Sequence, residues 1–160
     1  MLCAAAAAGA CHGDSGTPPP VAATAHASVP VATKKGPSVK ELTAGMVDAA
    51  AQGKSSLAVA LKFDLQQRPV LGQPLDINIA VVPQIDAGAA QVQIAGDGFT
   101  LASGANSIDL PPVEAGQVYR ETVKVTPSAE GVLVLGLTVS LKHDEMTESR
   151  SFSIPVIVQH

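Results

Sequence analysis

Residues 132–142 read V-L-V-L-G-L-T-V-S-L-K, with Leu133, Leu135, Leu137, Val139 and Leu141 at every second position. A period of two is that of a β-strand, whose successive side chains point to opposite faces, so these five aliphatic residues share one face that must be buried. The alternation returns in Phe152, Ile154, Val156 and Val158, after a charged connection from His143 to Glu148. Pro155 within that last strand has no N–H for a ladder, which marks an edge or a break in pairing. On the N-terminal side, Gln117 to Thr126 carries Tyr119, Val123 and Val125 on one face, and Pro127 to Gly131 turns the chain into the quoted stretch.

The same period governs the earlier half of the region. Leu57, Val59, Leu61, Phe63 and Leu65 alternate with Ala58, Ala60, Lys62 and Asp64, and Leu75, Ile77, Ile79 and Val81 follow the turn-like Gly72-Gln73-Pro74. Gln91 to Ile94 and Phe99 to Leu101 flank Gly96-Asp97-Gly98, a hairpin signal because glycine tolerates the positive φ of tight turns. A short strand at Ile108 to Leu110 stops at Pro111-Pro112. About seven short strands separated by turns predict an all-β fold, a sandwich of two antiparallel sheets over residues 55–160.

The turns at Pro69 to Pro74, Ala115-Gly116-Gln117 and Thr126-Pro127-Ser128-Ala129-Glu130-Gly131 resemble those of the immunoglobulin-like modules of bacterial surface and periplasmic proteins. The likeness spans roughly Leu57 to Val158. Antibody-type domains carry a Cys, Trp, Cys core that is absent from this stretch, so fibronectin-like or adhesion modules are the nearer comparison. The resemblance implies a fold and leaves function to be argued from a site.

Ahead of the strands, Ser38-Val39-Lys40-Glu41 fits a capping box, in which a serine hydroxyl and a glutamate three residues later satisfy each other's backbone amides. Val39, Leu42, Met46, Val47 and Ala50 then recur at helical spacing and Gly53 offers a stop, so one short amphipathic helix is predicted over 39–51, within a segment 38–53.

Residues 1–11 read M-L-C-A-A-A-A-A-G-A-C, the tail of a secretory signal. Ala8-Gly9-Ala10-Cys11 resembles a bacterial lipobox. That resemblance implies cleavage before Cys11 and its lipidation, and with His12 rather than Asp next, an anchor on the periplasmic side of the outer membrane. A frayed alanine-rich end is the competing reading, and for the cysteines a Cys3 to Cys11 bridge. Residues 12–37, rich in Pro, Ala, Gly, Ser and Thr, lack apolar periodicity and read as a disordered linker.

Composition narrows function. One Tyr, three Phe and no Trp leave little for an aromatic stacking platform and require an aliphatic core. The net charge of −4, with dispersed Lys and Arg, argues against nucleic acid as a partner. Gly13-Asp14-Ser15-Gly16 and Thr24-Ala25-His26 echo protease motifs, but a serine becomes nucleophilic only where a fixed base and an oxyanion hole surround it. A Pro-rich linker fixes neither, and no catalytic residue or cofactor is predicted. His143, Asp144, Glu145 and Met146 form the one charged cluster in the domain. Carboxylates suit hard cations and His143 with Met146 suits copper, whereas the commoner meaning of such a cluster is a solvated loop. The expectation is therefore a non-enzymatic envelope protein that binds another envelope protein or acts as a structural module; a periplasmic metal or small-ligand carrier using residues 143–148 is the alternative.

Overall fold

The computed structural model describes residues 36–160. The expectations for residues 1–35, including the lipobox with Cys11, Ser15 and most of the 12–37 linker, lie outside the described residues.

One helical turn, α1 (Val39–Leu42), precedes ten strands: β1 (Val47–Asp48), β2 (Ala50–Gln52), β3 (Val59–Leu65), β4 (Leu75–Pro83), β5 (Ala89–Ala95), β6 (Phe99–Leu101), β7 (Ser107–Leu110), β8 (Tyr119–Pro127), β9 (Gly131–His143) and β10 (Met146–Val158). They form two antiparallel five-stranded sheets, β1-β3-β4-β8-β6 and β2-β10-β9-β5-β7. The four strands β3-β4-β8-β6 opposite β5-β9-β10 reproduce the four-plus-three order of an immunoglobulin-like sandwich. Strands β1, β2 and β7 extend its edges; β7 is the short strand read at 108–110, and β1 and β2 lie where a helix is expected, so the count exceeds the predicted seven or so.

The inward rows are those read from the sequence. Leu61, Ile77, Ile79 and Val81 of the first sheet and Val92, Leu135, Leu137, Val139, Ile154 and Val156 of the second are at most 1% exposed. Phe63 and Phe152 are the only aromatic residues among the buried core side chains, so the core is aliphatic as composition requires. β9 and β10 pair over their full lengths, with Val134 opposite Pro155. β2 covers the outer edge of β10 only at residues 151–153, so Pro155 lies beyond it on an open edge, where its missing N–H interrupts nothing.

Three local expectations are corrected. The predicted helix over 39–51 survives only as α1, with the Ser38/Glu41 capping box formed as expected. Gly45, at φ +83°, ends it, and a helix this short gains little from cooperativity. The residues beyond it obtain more from sheet edges: β1 pairs with β3, the Ala49 N–H donates to Leu61 O at 2.9 Å, and β2 pairs with β10. The chain thus changes sheets at the buried Ala49.

Gly96-Asp97-Gly98 forms a turn, but β5 and β6 do not pair as a hairpin; the turn carries the chain from the second sheet to the first. It lies directly on β9, since a Cβ at Gly98 would stand 2.9 Å from Leu133 Cδ2 and one at Gly96 3.1 Å from Leu135 Cδ1. Finally, the His143 to Glu148 connection is no extended loop. β9 and β10 are joined by Asp144 and Glu145 alone, with Asp144 at φ 52°. Two-residue hairpin turns require such positive φ, and Asp tolerates it better than most residues.

Candidate functional site

The hairpin turn makes His143 and Met146 direct cross-strand partners and puts Asp144 and Glu145 between them. His143 Nδ1 donates to the carbonyl oxygen of Asp86 at 3.0 Å, and its Nε2 lies 3.3 Å from Asp144 Oδ2. Met146 is 67% exposed. Lys142 lines the adjoining shallow depression together with His143 and Asp144. Among the described residues, no three or more His, Cys, Asp or Glu side chains are arranged to hold a metal ion.

A different feature stands out when the outward residues of the two sheets are compared. Outward positions of the first sheet carry Asp48, Lys62, Asp64, Asp76, Arg120 and Lys124, and pairing sets opposite charges side by side. Lys62 meets Asp48, and Lys124 Nζ lies 3.1 Å from Asp76 Oδ1. This is an ordinary solvated sheet face, on which such pairs are worth at most about 1 kcal/mol each.

The outward face of the second sheet is built from the even positions of β9 and the odd positions of β10 and β5. Register places Ile157 beside Val132, and Pro155 beside Val134. The next row is Ala50, Ser153, Gly136 and Ala95, followed by Gln52, Ser151, Thr138, Gln93 and Ser107, then Ser149, Ser140 and Gln91. Asp109 on β7 closes this last row and Lys142 lies one row further along β9; the rows before them hold no charged strand residue. The polar side chains satisfy one another: Thr138 Oγ1 and Ser151 Oγ are 3.0 Å apart, Ser140 Oγ and Ser149 Oγ 2.8 Å, and Gln52 Nε2 donates to Ser153 Oγ at 2.8 Å.

At one end of this face the apolar side chains stand in water. Val132, Val134 and Ile157 are 67%, 51% and 63% exposed. Beside them, the missing side chain of Gly136 opens a shallow depression of about 730 Å³ between Ala95, Thr138, Ser151 and Ser153, with Asp97 at its rim. Sheet faces meant for solvent usually carry charge, and the core of a protein–protein interface is depleted of it. The even positions of 132–142 were readable as uncharged in the sequence, but only strand pairing assembles them with β10, β5 and β2 into one surface.

No family model and no curated protein matches this chain. No helix among the described residues is long and apolar enough to cross a membrane.

Proposed function

We propose that this chain is a non-catalytic protein-binding module of the bacterial envelope, secreted or lipid-anchored through Cys11, which presents the outward face of its second sheet to a protein partner. The observation that carries this reading is the contrast between the two faces. One is laced with ion pairs, and the other offers uncharged rows ending in exposed Val132, Val134, Pro155 and Ile157. Association is favoured where apolar surface leaves water and no charge has to be desolvated. The anchor is supported by Ala8-Gly9-Ala10-Cys11, and the Pro- and Ala-rich stretch that follows has the composition of a tether.

Two experiments test it. Labelled palmitate should enter the full chain and be lost on Cys11→Ser; absence of label in the parent chain would remove the anchor. Crosslinked envelopes should yield a specific partner that is lost with Val134→Glu and kept with Thr122→Glu, which alters the opposite face. Equal recovery with both variants would refute the assignment of the face.

A further inference from the structure

We infer that the partner of the uncharged face is a second copy of this chain, the two second sheets packing face to face about a two-fold axis that runs parallel to the strands between β9 and β10. The inference rests on the reading of that face as a protein-binding surface and adds the identity of the partner.

Charge is the first argument. Each chain carries a net charge of −4, so two copies repel over most of their surfaces. Packing through the outward first sheet would require desolvating Asp48, Lys62, Asp64, Asp76, Arg120 and Lys124. The rows from Val132/Ile157 to Thr138/Ser151 hold no charged strand residue, Asp97 stands at the rim and Asp109 only at the β7 end of the Ser140/Ser149 row, so identical chains can meet there with their like charges left at the periphery.

Geometry is the second. β9 and β10 are adjacent and pair without interruption, so an axis between them superimposes the apolar end of one copy on the apolar end of the other. Val132 then faces the partner's Ile157, and Val134 the partner's Pro155, each contact occurring twice as an isologous interface requires. An axis across the strands would instead set Val132 and Ile157 against the serine rows. The remaining rows are Ser, Thr, Ala, Gly and Gln, small or flexible enough for the sheets to approach to the spacing of about 10 Å usual for stacked sheets.

Size is the third. From residue 132 to residue 140 is eight residues, about 27 Å of strand, and four strands span about 19 Å. The footprint is about 500 Å² per copy, or about 1,000 Å² in all, at the lower bound for a specific interface and in the range of weak, reversible association.

The test is sedimentation equilibrium of the full chain carrying Cys3→Ser and Cys11→Ser, at concentrations into the hundreds of micromolar. The expected result is a monomer–dimer equilibrium that weakens at least tenfold with Val134→Glu and with Gln93→Glu and is unchanged by Thr122→Glu, thermal melts confirming that each variant is folded. In the same background, Val134→Cys should be joined into a covalent dimer by a short bifunctional maleimide, and Thr122→Cys should not. A chain that stays monomeric throughout overturns the inference. If Val134→Glu still abolishes partner capture from envelopes in that case, the second copy is refuted while the protein-binding face stands. Self-association that is indifferent to Val134→Glu and Gln93→Glu refutes a dimer through this face.

Discussion

Replacing Gly98 by alanine should destabilise the sandwich more than replacing Gly116, and the difference measures how tightly the β5–β6 crossover is pressed onto β9. Both glycines sit at positive φ, +82° and +77°. An L-residue in that region costs roughly 1–2 kcal/mol, so each substitution bears this penalty. Their surroundings differ. An alanine Cβ at position 116 would meet nothing within 4 Å, whereas at position 98 it would lie 2.9 Å from Leu133 Cδ2 and 3.2 Å from Leu133 Cδ1. Leu133 is partly buried against the core and its Cδ atoms must shift to make room, a displacement bounded by the off-rotamer cost of about 0.5–1.5 kcal/mol. Gly116→Ala should therefore cost about 1–2 kcal/mol and Gly98→Ala about 1 kcal/mol more. Urea unfolding followed by far-ultraviolet circular dichroism reads the difference directly. With a slope near 2 kcal/mol per molar, the midpoints should separate by about 0.5 M at unchanged slope. Coincident midpoints, or a Gly98→Ala variant as stable as the parent, would show that the turn does not pack on Leu133 as described.

Two further predictions concern single groups. The Tyr119 hydroxyl accepts from the Glu114 N–H at 2.8 Å and tethers the loop entering β8, so Tyr119→Phe should cost about 1 kcal/mol in the same urea assay. The hydrogen bond from the Ser38 backbone N–H, aided by the Ser38 hydroxyl, holds the Glu41 carboxyl below its usual range. A depressed folded-state pKa contributes stability that is present above the unfolded value and lost as pH falls through the folded one. Nuclear magnetic resonance should thus show Glu41 titrating below ordinary glutamates, with the α1 amides losing their dispersion over that acid step and not at higher pH.

How far the sequence reveals the molecule depends on the range of the interactions involved. The strands β3, β4, β8, β9 and β10 were legible because alternation is local, and the alternating rows point inward as read, buried except for the partly exposed Leu65, Tyr119 and Leu133 at their ends. The capping box was legible for the same reason, being closed within four residues. What followed it was not, because Met46, Val47 and Ala50 fit a helical stripe as well as they fit strands. The strand conformation of Val47 is decided by its partner Phe63 and that of Ala50 by Ser153, both distant in the chain. The Gly96-Asp97-Gly98 turn was recognised, but the sheet that receives β6 depends on pairing with β8. The cluster from His143 to Met146 drew attention by composition, and register reduces it to a two-residue turn flanked by a cross-strand pair. The uncharged face is the converse case: its serines, glutamines and valines are unremarkable one by one, and become a surface only when five strands are set side by side.

The proposed binding role assigns contact with other protein to the uncharged face and not to its charged counterpart. Photo-crosslinking from single positions in the full chain within intact envelopes tests it most directly, with the photoreactive residue at Val134 on the second sheet or at Thr122 on the first. A discrete protein adduct is expected from position 134 and none from position 122. Adducts from position 122 alone, or equally from both, would contradict it.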